Sequence, residues 1–296
     1  MNLKSLLLTV TTICTVSSMF AQSNILNAKS PEEIGVLTDA QKLASPDKPL
    51  EYGYVADRDI LYSKMTWEKI VLDERVNFPL YYPIDANNIS SDRRSLYDVL
   101  MANIKNGRIK NIYDDSYFNG KRTLKDIESA LSRVDTTEVG IEQINTGEAL
   151  SEEYIDRRDI SAAEIREYHI KGLWYFDKRQ SELKYRLLGI APVAPDVNFI
   201  DDENPDLVEL FWVFFPDARE VLHEAKAFNN KNSALRFSFD HILNSRRFQG
   251  YIYKEENIQG NRAVSEYISD NALMQLLESD RIKDKIRDFE QDMWAY

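Results

Sequence analysis

Apolar residues recur with two different spacings along the chain, which predicts a mixture of strands and helices. Short apolar runs at 170–176 and 185–190 flank the polar stretch DKRQSE, and this arrangement is typical of an antiparallel hairpin. Another strand is predicted over Glu209–Phe215, where four aromatic residues lie within five positions. A continuous apolar run of this kind favours burial on both faces. Further short strands are predicted at Ile109–Tyr113 and around Pro79 and Pro83, where proline restricts pairing to a sheet edge.

Apolar residues three and four positions apart predict several helices. The first follows a cap at Ser91 or Asp92 and ends at Gly107, and the second follows Thr123. Pro216 begins a third, because its missing N–H would be unpaired in a first turn anyway. A charged helix is predicted at the C-terminus. The apolar positions of these helices are Leu96, Val99, Leu100 and Ile104; Leu124, Ile127 and Leu131; Ala218, Val221, Leu222, Ala225 and Phe228; and Ile282, Ile286, Phe289 and Met293.

Short matches suggest that the chain contains two related halves. The motif Asn111-Ile112-Tyr113 corresponds to Tyr251-Ile252-Tyr253, and LYYP at 80–83 corresponds to VFFP at 213–216. Duplication of a small α+β unit explains these matches, and chance alignment of short apolar patterns is the alternative. We therefore predict an α+β fold of two related small halves, each with short antiparallel strands packed with helices. The expected segments are a signal peptide at 1–21, a flexible extended arm at 22–59, a first half at 60–131, an acidic connector at 132–159, a second half at 160–279 and a C-terminal helix at 280–296.

The N-terminus has the layout of a secretory signal peptide. Lys4 precedes an apolar stretch from Leu6 to Val16, and the small residue Ala21 offers a cleavage point. The apolar stretch is too short for a spanning helix, which needs about 20 apolar residues. Cys14, the only cysteine, lies inside this segment. We therefore expect a soluble exported protein with neither disulfides nor a cysteine nucleophile.

The charge of the chain argues against two classes of partner. The 49 acidic side chains outnumber the 37 basic ones, giving a net charge of −12. Cleavage of the predicted signal peptide removes Lys4 and no acid, which makes the mature chain more negative. Such a surface repels phosphate backbones and anionic headgroups. We expect no nucleic-acid partner and only an indirect association with membranes.

The sequence contains no motif that carries catalysis. His169, His223 and His241 lack the spacing of metal ligands, and no nucleophile elbow or phosphate loop occurs. The carboxylates Asp201, Asp202, Glu203 and Asp206 are expected in a solvated loop. We predict no catalytic, cofactor-binding or metal-binding residue, although an exported hydrolase of unknown substrate remains the alternative. Asp135-Thr136-Thr137 fits a short O-glycosylation pattern, for which an unmodified loop is the alternative.

Four blocks of the chain together resemble one known family. They are TWEKIVLDERVNFPLYYP, YHIKGLWYFDKRQ with YRLLGIAPV, ELFWVFFPDAR and FDHILNSRRFQGYIYKEEN. In this order, from about Tyr62 to Tyr267, they resemble the GldN gliding-motility family of Bacteroidota, called PorN in non-gliding relatives. The resemblance implies a periplasmic, non-enzymatic component of the type IX secretion system. It implies a ring built with the lipoprotein GldK or PorK beneath the outer membrane, and contact with the periplasmic part of GldM or PorM.

The resemblance directs attention to surfaces where subunits of such a ring would meet. Trp212 and Arg219 are predicted to border one interface, because aromatic residues and arginine are enriched in interface cores. Burial of Trp212 inside a central strand is the alternative. Phe289 and Trp294, in the predicted C-terminal helix, are expected to border a second interface.

Overall fold

The computed structural model describes residues 30, 47–85, 94–136, 143, 146, 154–199, 205–229, 236–269 and 271–294. The predicted signal peptide at 1–21 lies outside these residues, together with most of the predicted arm. The carboxylates of Asp201, Asp202 and Glu203 also lie outside them.

One antiparallel sheet dominates the fold. The strands are β1 (Ile60–Val71), β2 (Ile112–Tyr113), β3 (Ser132–Thr136), β4 (Ile155–Asp159), β5 (Glu167–Asp177), β6 (Glu182–Pro195), β7 (Leu207–Glu209), β8 (Trp212–Phe214) and β9 (Tyr251–Glu255). The sheet has the order β2-β8-β6-β5-β1-β9, with β7 also paired to β6, whereas β3 and β4 pair only with each other. The pairing of β5 with β6 confirms the hairpin predicted around DKRQSE.

Helices connect and cover these strands. They are α1 (Phe78–Tyr81), α2 (Leu96–Lys105), α3 (Leu124–Leu131), α4 (Phe215–Glu224), α5 (Phe239–Asn244), α6 (Val264–Tyr267) and α7 (Ala272–Trp294). Short 3-10 helices occur at Asp57–Asp59, Arg75–Asn77 and Ala162–Glu164. The α+β class and the C-terminal helix are thus confirmed, and the helix begins at Ala272 rather than near 280.

Side-chain caps determine where the helices begin. The hydroxyl of Ser95 accepts a 3.1 Å bond from the backbone N–H of Asp98 and caps α2. The prediction of a cap at Ser91 or Asp92 was therefore wrong. Thr123 caps α3 as predicted, and the Asp126 carboxylate accepts a 2.9 Å bond from the Thr123 N–H. Pro216 lies in the first turn of α4, also as predicted.

The main core lies between one face of the sheet and helices α2 to α5. Apolar residues of those helices, among them Leu100, Ile127 and Leu222, pack with Ile170, Ile190 and other strand residues. Successive strand residues point to opposite faces, so Ala191 and Trp212 point away from this core. They form a second cluster with Trp67. A third cluster places Ile282 and Ile286 of α7 against Ile252 of β9.

The two predicted halves share the sheet. Strand β1 of the first half lies between β5 and β9 of the second half, and β2 pairs with β8. The matching segments β2 and β9 are the outermost strands at opposite ends of the order. In both copies a carboxylate, Asp126 or Glu266, accepts a bond from the backbone N–H three residues earlier. These correspondences support duplication, which stays a hypothesis.

Three local expectations differ from the structure. The segment around Pro79 forms the short helix α1 rather than an edge strand, since proline fits a first helical turn. The strand predicted over Glu209–Phe215 is interrupted at Leu210 and Phe211. The ends of the predicted connector pair as β3 and β4, which places the backbone of Thr136 opposite Ile155. The side chain of Thr136 lies outside the described part, so the two alternatives, a glycosylated and an unmodified Thr136, both stay open.

Candidate functional site

Trp212 is covered by residues of its own chain. Its side chain has 0% exposure and packs with Trp67 and Ala191. A Cβ at Gly189 would lie 2.7 Å from the Phe118 ring and 3.2 Å from Trp212. Glycine at that position therefore lets both rings lie directly on β6. In this conformation Trp212 offers no surface to a partner, and its place at an interface stays a prediction.

A buried lysine holds the loop that covers this aromatic face. The Nζ of Lys171 donates a 2.8 Å bond to the Ser116 carbonyl and lies 5.1 Å from the ring centres of Tyr117 and Phe118. Burial lowers the pKa of Lys171. The aromatic rings compensate part of the lost hydration, because their faces attract a cation. Lys171 thus fixes the loop at 114–120 against the sheet.

His169 lies between two carboxylates on the same face. Its Nδ1 is 2.7 Å from Glu209 and its Nε2 is 3.4 Å from Glu167. Burial alone would lower the pKa of His169, but the bonds to both carboxylates raise it above its ordinary value. Both ring nitrogens are thus engaged with side chains of the chain itself. This arrangement supports a structural ion pair rather than a free catalytic base.

Arg219 lies in a groove on another part of the molecule. The groove has a volume of about 720 Å³ and is lined by residues 47–55 of the chain together with β5, β6, α4 and α5. Basic side chains from the body, including Arg179, Lys184 and Arg186, line it alongside Asp177 and Asp240. We call residues 47–55 the arm segment. It contributes two acidic residues, Asp47 and Glu51, and one basic residue, Lys48, to this groove.

Tyr52 of the arm segment fits between two arginines. The guanidinium carbons of Arg219 and Arg186 lie 4.1 Å and 4.7 Å from its ring centre. Its hydroxyl donates a 2.8 Å bond to Oδ1 of Asn244. Burial raises the pKa of the Tyr52 phenol, so it stays protonated and able to donate. We call Arg186, Arg219, Asp240 and Asn244 the tyrosine socket.

Asp240 fixes the orientation of Arg219 and Asn244 in the tyrosine socket. It is 5% exposed, and it accepts bonds of 2.9 Å and 3.3 Å from Nε and Nη2 of Arg219. Its Oδ1 also accepts a 2.7 Å bond from Nδ2 of Asn244. Bidentate pairing of this kind fixes the plane of a guanidinium. Arg219 therefore presents a flat, oriented cation to the Tyr52 ring.

Both ends of the arm segment are held by charged side chains. Asp47 lies 2.9 Å from Nε2 of His223 and 3.2 Å from Nζ of Lys226. Burial alone would raise the pKa of Asp47, but these two bonds lower it. At the other end, Arg186 donates a 3.0 Å bond to the Gly53 carbonyl. The side chain of Tyr54 is left 83% exposed.

The C-terminal helix α7 places its two predicted interface residues differently. Phe289 stacks on Tyr62 of β1, with ring centres 4.2 Å apart and planes inclined by 21°. Trp294, at the end of α7, is 71% exposed. Phe289 thus joins the helix to the sheet, whereas Trp294 is accessible. The first turns of α7 also expose the large apolar side chains of Leu273, Met274, Leu276 and Leu277.

The other two histidines have ring contacts within the chain. Within the described ranges, no group of three or more His, Cys, Asp or Glu side chains is placed to hold a metal ion. His223 is paired with Asp47, and His241 stacks on Phe237 at 5.5 Å. In the same part of the chain, no helix combines the length and apolar character needed to cross a bilayer.

The sequence indicates Arg219 as an interface candidate, which stays a prediction, but it identifies none of the residues that surround Arg219. Tyr52 lies in a segment without apolar periodicity. Arg186 lies within a strand whose apolar pattern predicts that the strand pairs with a neighbour, but not which side chains contact Arg186. Asn244 is the last residue of α5. A tyrosine flanked by Glu51 and Gly53 in an extended, acidic context was the one available signal, and it is too common to identify a contact.

The chain matches a known protein family over most of its length. A family model described as "Gliding motility associated protein GldN" matches residues 55–295. Among curated proteins, none matches the chain. The matched residues contain the sheet, α7 and the body side of the groove, whereas most of the arm segment precedes them.

Proposed function

The chain belongs to the GldN family of gliding motility associated proteins, and from this premise we propose that it is a non-enzymatic structural component of a periplasmic ring. Family membership makes it a component of the gliding motility and type IX secretion machinery. The observation that carries the proposal is the match over residues 55–295, which spans the whole described sheet. In the proposed ring, this protein supports protein export and, in gliding cells, motility.

The proposed partners are a lipoprotein of the GldK or PorK type and the periplasmic domain of a GldM or PorM protein. Copies of this chain also associate with one another in the ring. The protein is placed at the inner face of the outer membrane, where its attachment depends on the lipidated partner. This placement agrees with the predicted signal peptide and with the acidic net charge of −12, which disfavours direct adsorption to anionic lipids.

Two surfaces are proposed to contact these partners. One is the groove around Arg219, where the arm segment brings acidic residues to a basic body surface. The other is α7, where Trp294 and the apolar side chains near its start are exposed. An exposed apolar helix face of this kind is suited to docking, because burying it removes apolar area from water. Trp212 contributes indirectly, by supporting the loop at 114–120.

The proposal is tested by affinity purification of the tagged chain from detergent-solubilised outer membrane, with partners identified by mass spectrometry. We expect the lipoprotein and the GldM-type domain to co-purify. Trp294→Ala and a truncation before Arg281 test α7, and Arg219→Glu tests the groove. Lys125→Glu serves as a control, since Lys125 is exposed on α3 and lies on neither proposed surface. A wild-type chain that brings down neither partner would refute the proposed assembly.

Thermal melts separate loss of binding from loss of folding. Arg219→Glu places two carboxylates together at Asp240, so its melting temperature is measured beside its co-purification. A variant that melts like the wild type but loses the lipoprotein supports the contact. Retention of the lipoprotein by all three test variants would exclude both surfaces as contacts with the lipoprotein.

A further inference from the structure

The tyrosine socket is complete without its occupant. Asp240 pairs with Arg219 and Asn244 through bonds that belong entirely to the body of the chain. Removal of Tyr52 therefore leaves no buried charge without its partner. A site whose charged groups remain satisfied when it empties is suited to exchange one occupant for another, because opening it carries no large desolvation penalty.

The arm segment is held only by side chains. Every hydrogen bond that the structure describes between residues 48–55 and the body uses a side chain, namely those of Tyr52, Arg179 and Arg186. No strand ladder joins this segment to the sheet in the described residues. Segments with few buried contacts open at a free energy well below that of global unfolding. The arm segment is thus able to leave while the sheet stays folded.

The residues that follow the arm segment are fixed to the rest of the chain. They define the point about which the arm segment would rotate. The 3-10 helix at Asp57–Asp59 precedes β1, and the Asp59 carboxylate lies 3.2 Å from Nε of Arg179. The Lys178 N–H also donates a 2.8 Å bond to the Asp59 carbonyl. Val55 and Ala56 therefore connect a detachable segment to a fixed one.

We propose that the tyrosine socket of one copy binds the arm segment of a second copy, so that neighbouring copies are linked by exchanged arms. The occupant is this same segment because its fit is already visible: Tyr52 between two arginines, and acidic Asp47 against His223 and Lys226. Exchange preserves each of these contacts, which makes it an inexpensive route to association. One arm and one socket per copy give a head-to-tail link that repeats. The inference rests on the self-association in the proposed function.

Two half-defective variants test the exchange. Tyr52→Ala has an intact socket but no anchor, and Arg186→Ala has an intact arm but a weakened socket. Arg186 is chosen because its described bonds go to Gly53 and Tyr175, so its loss leaves no buried acid without a charged partner. Each variant alone should self-associate more weakly than the wild type by roughly tenfold or more, given the lost stacking and charged hydrogen bond.

The mixture of the two variants distinguishes exchange from binding within one chain. The arm of the Arg186→Ala variant fits the socket of the Tyr52→Ala variant. In the resulting pair the free arm lacks Tyr52 and the free socket lacks Arg186, so the pair cannot bind a further copy. We therefore expect a heterodimer in sedimentation velocity, with no larger species, whereas the wild type forms longer assemblies. Tyr54→Ala is the matched control, since the Tyr54 side chain is 83% exposed, and it should associate like the wild type.

A peptide provides a second measurement. DKPLEYGYVA, which is residues 47–56, should bind the Tyr52→Ala protein in fluorescence anisotropy, and the same peptide with alanine for Tyr52 should bind at least about tenfold more weakly. A mixture that stays monomeric, with no peptide binding, would overturn the exchange and leave the arm in its own socket. Wild-type-like assembly by both variants would also overturn it, while leaving ring formation through another surface intact. Co-purification with the lipoprotein reports separately on the proposed function.

Discussion

The indole N–H of Trp212 donates a 2.7 Å hydrogen bond to Oε2 of Glu209, and so joins the buried strand to an ion pair. The other oxygen of Glu209 is 2.7 Å from His169. Burial alone would raise the pKa of Glu209, but the bond to His169 lowers it below its ordinary value. The Tyr253 ring lies 4.8 Å from the His169 ring and covers the pair. The aromatic strand is thus held by a charge pair that titrates.

Stability should depend on the protonation of His169. Its folded-state pKa is raised above the unfolded value of about 6.5. Its contribution is therefore complete below that pH and is lost as pH rises through the folded pKa. The lowered pKa of Glu209 gives a contribution that is present above about 4.3 and is lost as pH falls through the folded pKa.

Urea unfolding across pH measures this contribution. The free energy of unfolding should decline above about pH 6.5, and His169→Gln should remove that decline and cost roughly 1–3 kcal/mol near pH 6. His241→Gln is the matched control, because the described contact of the His241 ring is stacking on Phe237. Equal pH profiles for the wild type and His169→Gln would contradict the prediction.

Arg246 should be essential for the stability of the fold, because it pairs with the fully buried acid Glu68. Its Nη2 lies 2.6 Å from Oε2 of Glu68, which is 0% exposed. Arg246→Ala should cost about 3–5 kcal/mol in the free energy of unfolding, since it leaves that charge unpaired in the core. Chemical denaturation provides the measurement.

A double variant separates the charge from its packing. Glu68→Gln combined with Arg246→Met should recover much of the loss, because neither partner then carries a charge. Arg287→Ala, on the surface of α7, should change stability by no more than about 0.5 kcal/mol. If Arg246→Ala were as harmless as this control, the pair would not support the fold.

Gly172 should tolerate no side chain, since the Tyr185 ring of the neighbouring strand β6 occupies the position that a Cβ would take. Gly172→Ala must displace this partly buried ring and should cost about 1–3 kcal/mol. Gly53→Ala is the control, because a Cβ there would meet nothing within 4 Å. Thermal melts of both variants measure the difference, and a stable Gly172→Ala would show that Tyr185 moves freely.

Phe289 and Trp294 should differ in what their loss affects. Phe289→Ala removes the stack on Tyr62 and should cost about 2 kcal/mol of stability, because half-buried aromatic area is lost from the attachment of α7. A double-mutant cycle with Tyr62→Ala should give a coupling of about 0.5–1.5 kcal/mol. Trp294→Ala should leave stability nearly unchanged and reduce co-purification with the lipoprotein. A coupling near zero would mean that the stack does not hold α7.

Local signals in the sequence identified most of the elements. Short apolar runs flanking DKRQSE predicted the hairpin, and spacing of three and four predicted α2, α3 and α4. The cap of α2 was misplaced, because Ser91, Asp92 and Ser95 are all suitable caps. In the structure the Ser95 hydroxyl makes the capping bond, and Leu96 beside it has 0% exposure. Elements are predictable where neighbouring residues determine them.

The candidate site could not be predicted in the same way. Tyr52 and Asn244 are 192 positions apart, and neither has a pattern that indicates the other. Strand β1 was assigned to the first half, yet it lies between two strands of the second. Sequence spacing carries no information on which distant segments pair, so the socket and the order of the sheet were both missed.

The sequence by itself determined the class, most of the local elements and the family, because periodicity, caps and long family-like blocks act through neighbouring residues. Tertiary structure alone decided that Trp212 is covered by Phe118 of its own chain, and that Arg219 faces Tyr52 instead of open solvent. Both outcomes depend on how strands distant in sequence pair, since pairing sets which face of each strand is buried. Once that sheet forms, Asp240 orients Arg219, and a basic groove receives an acidic arm.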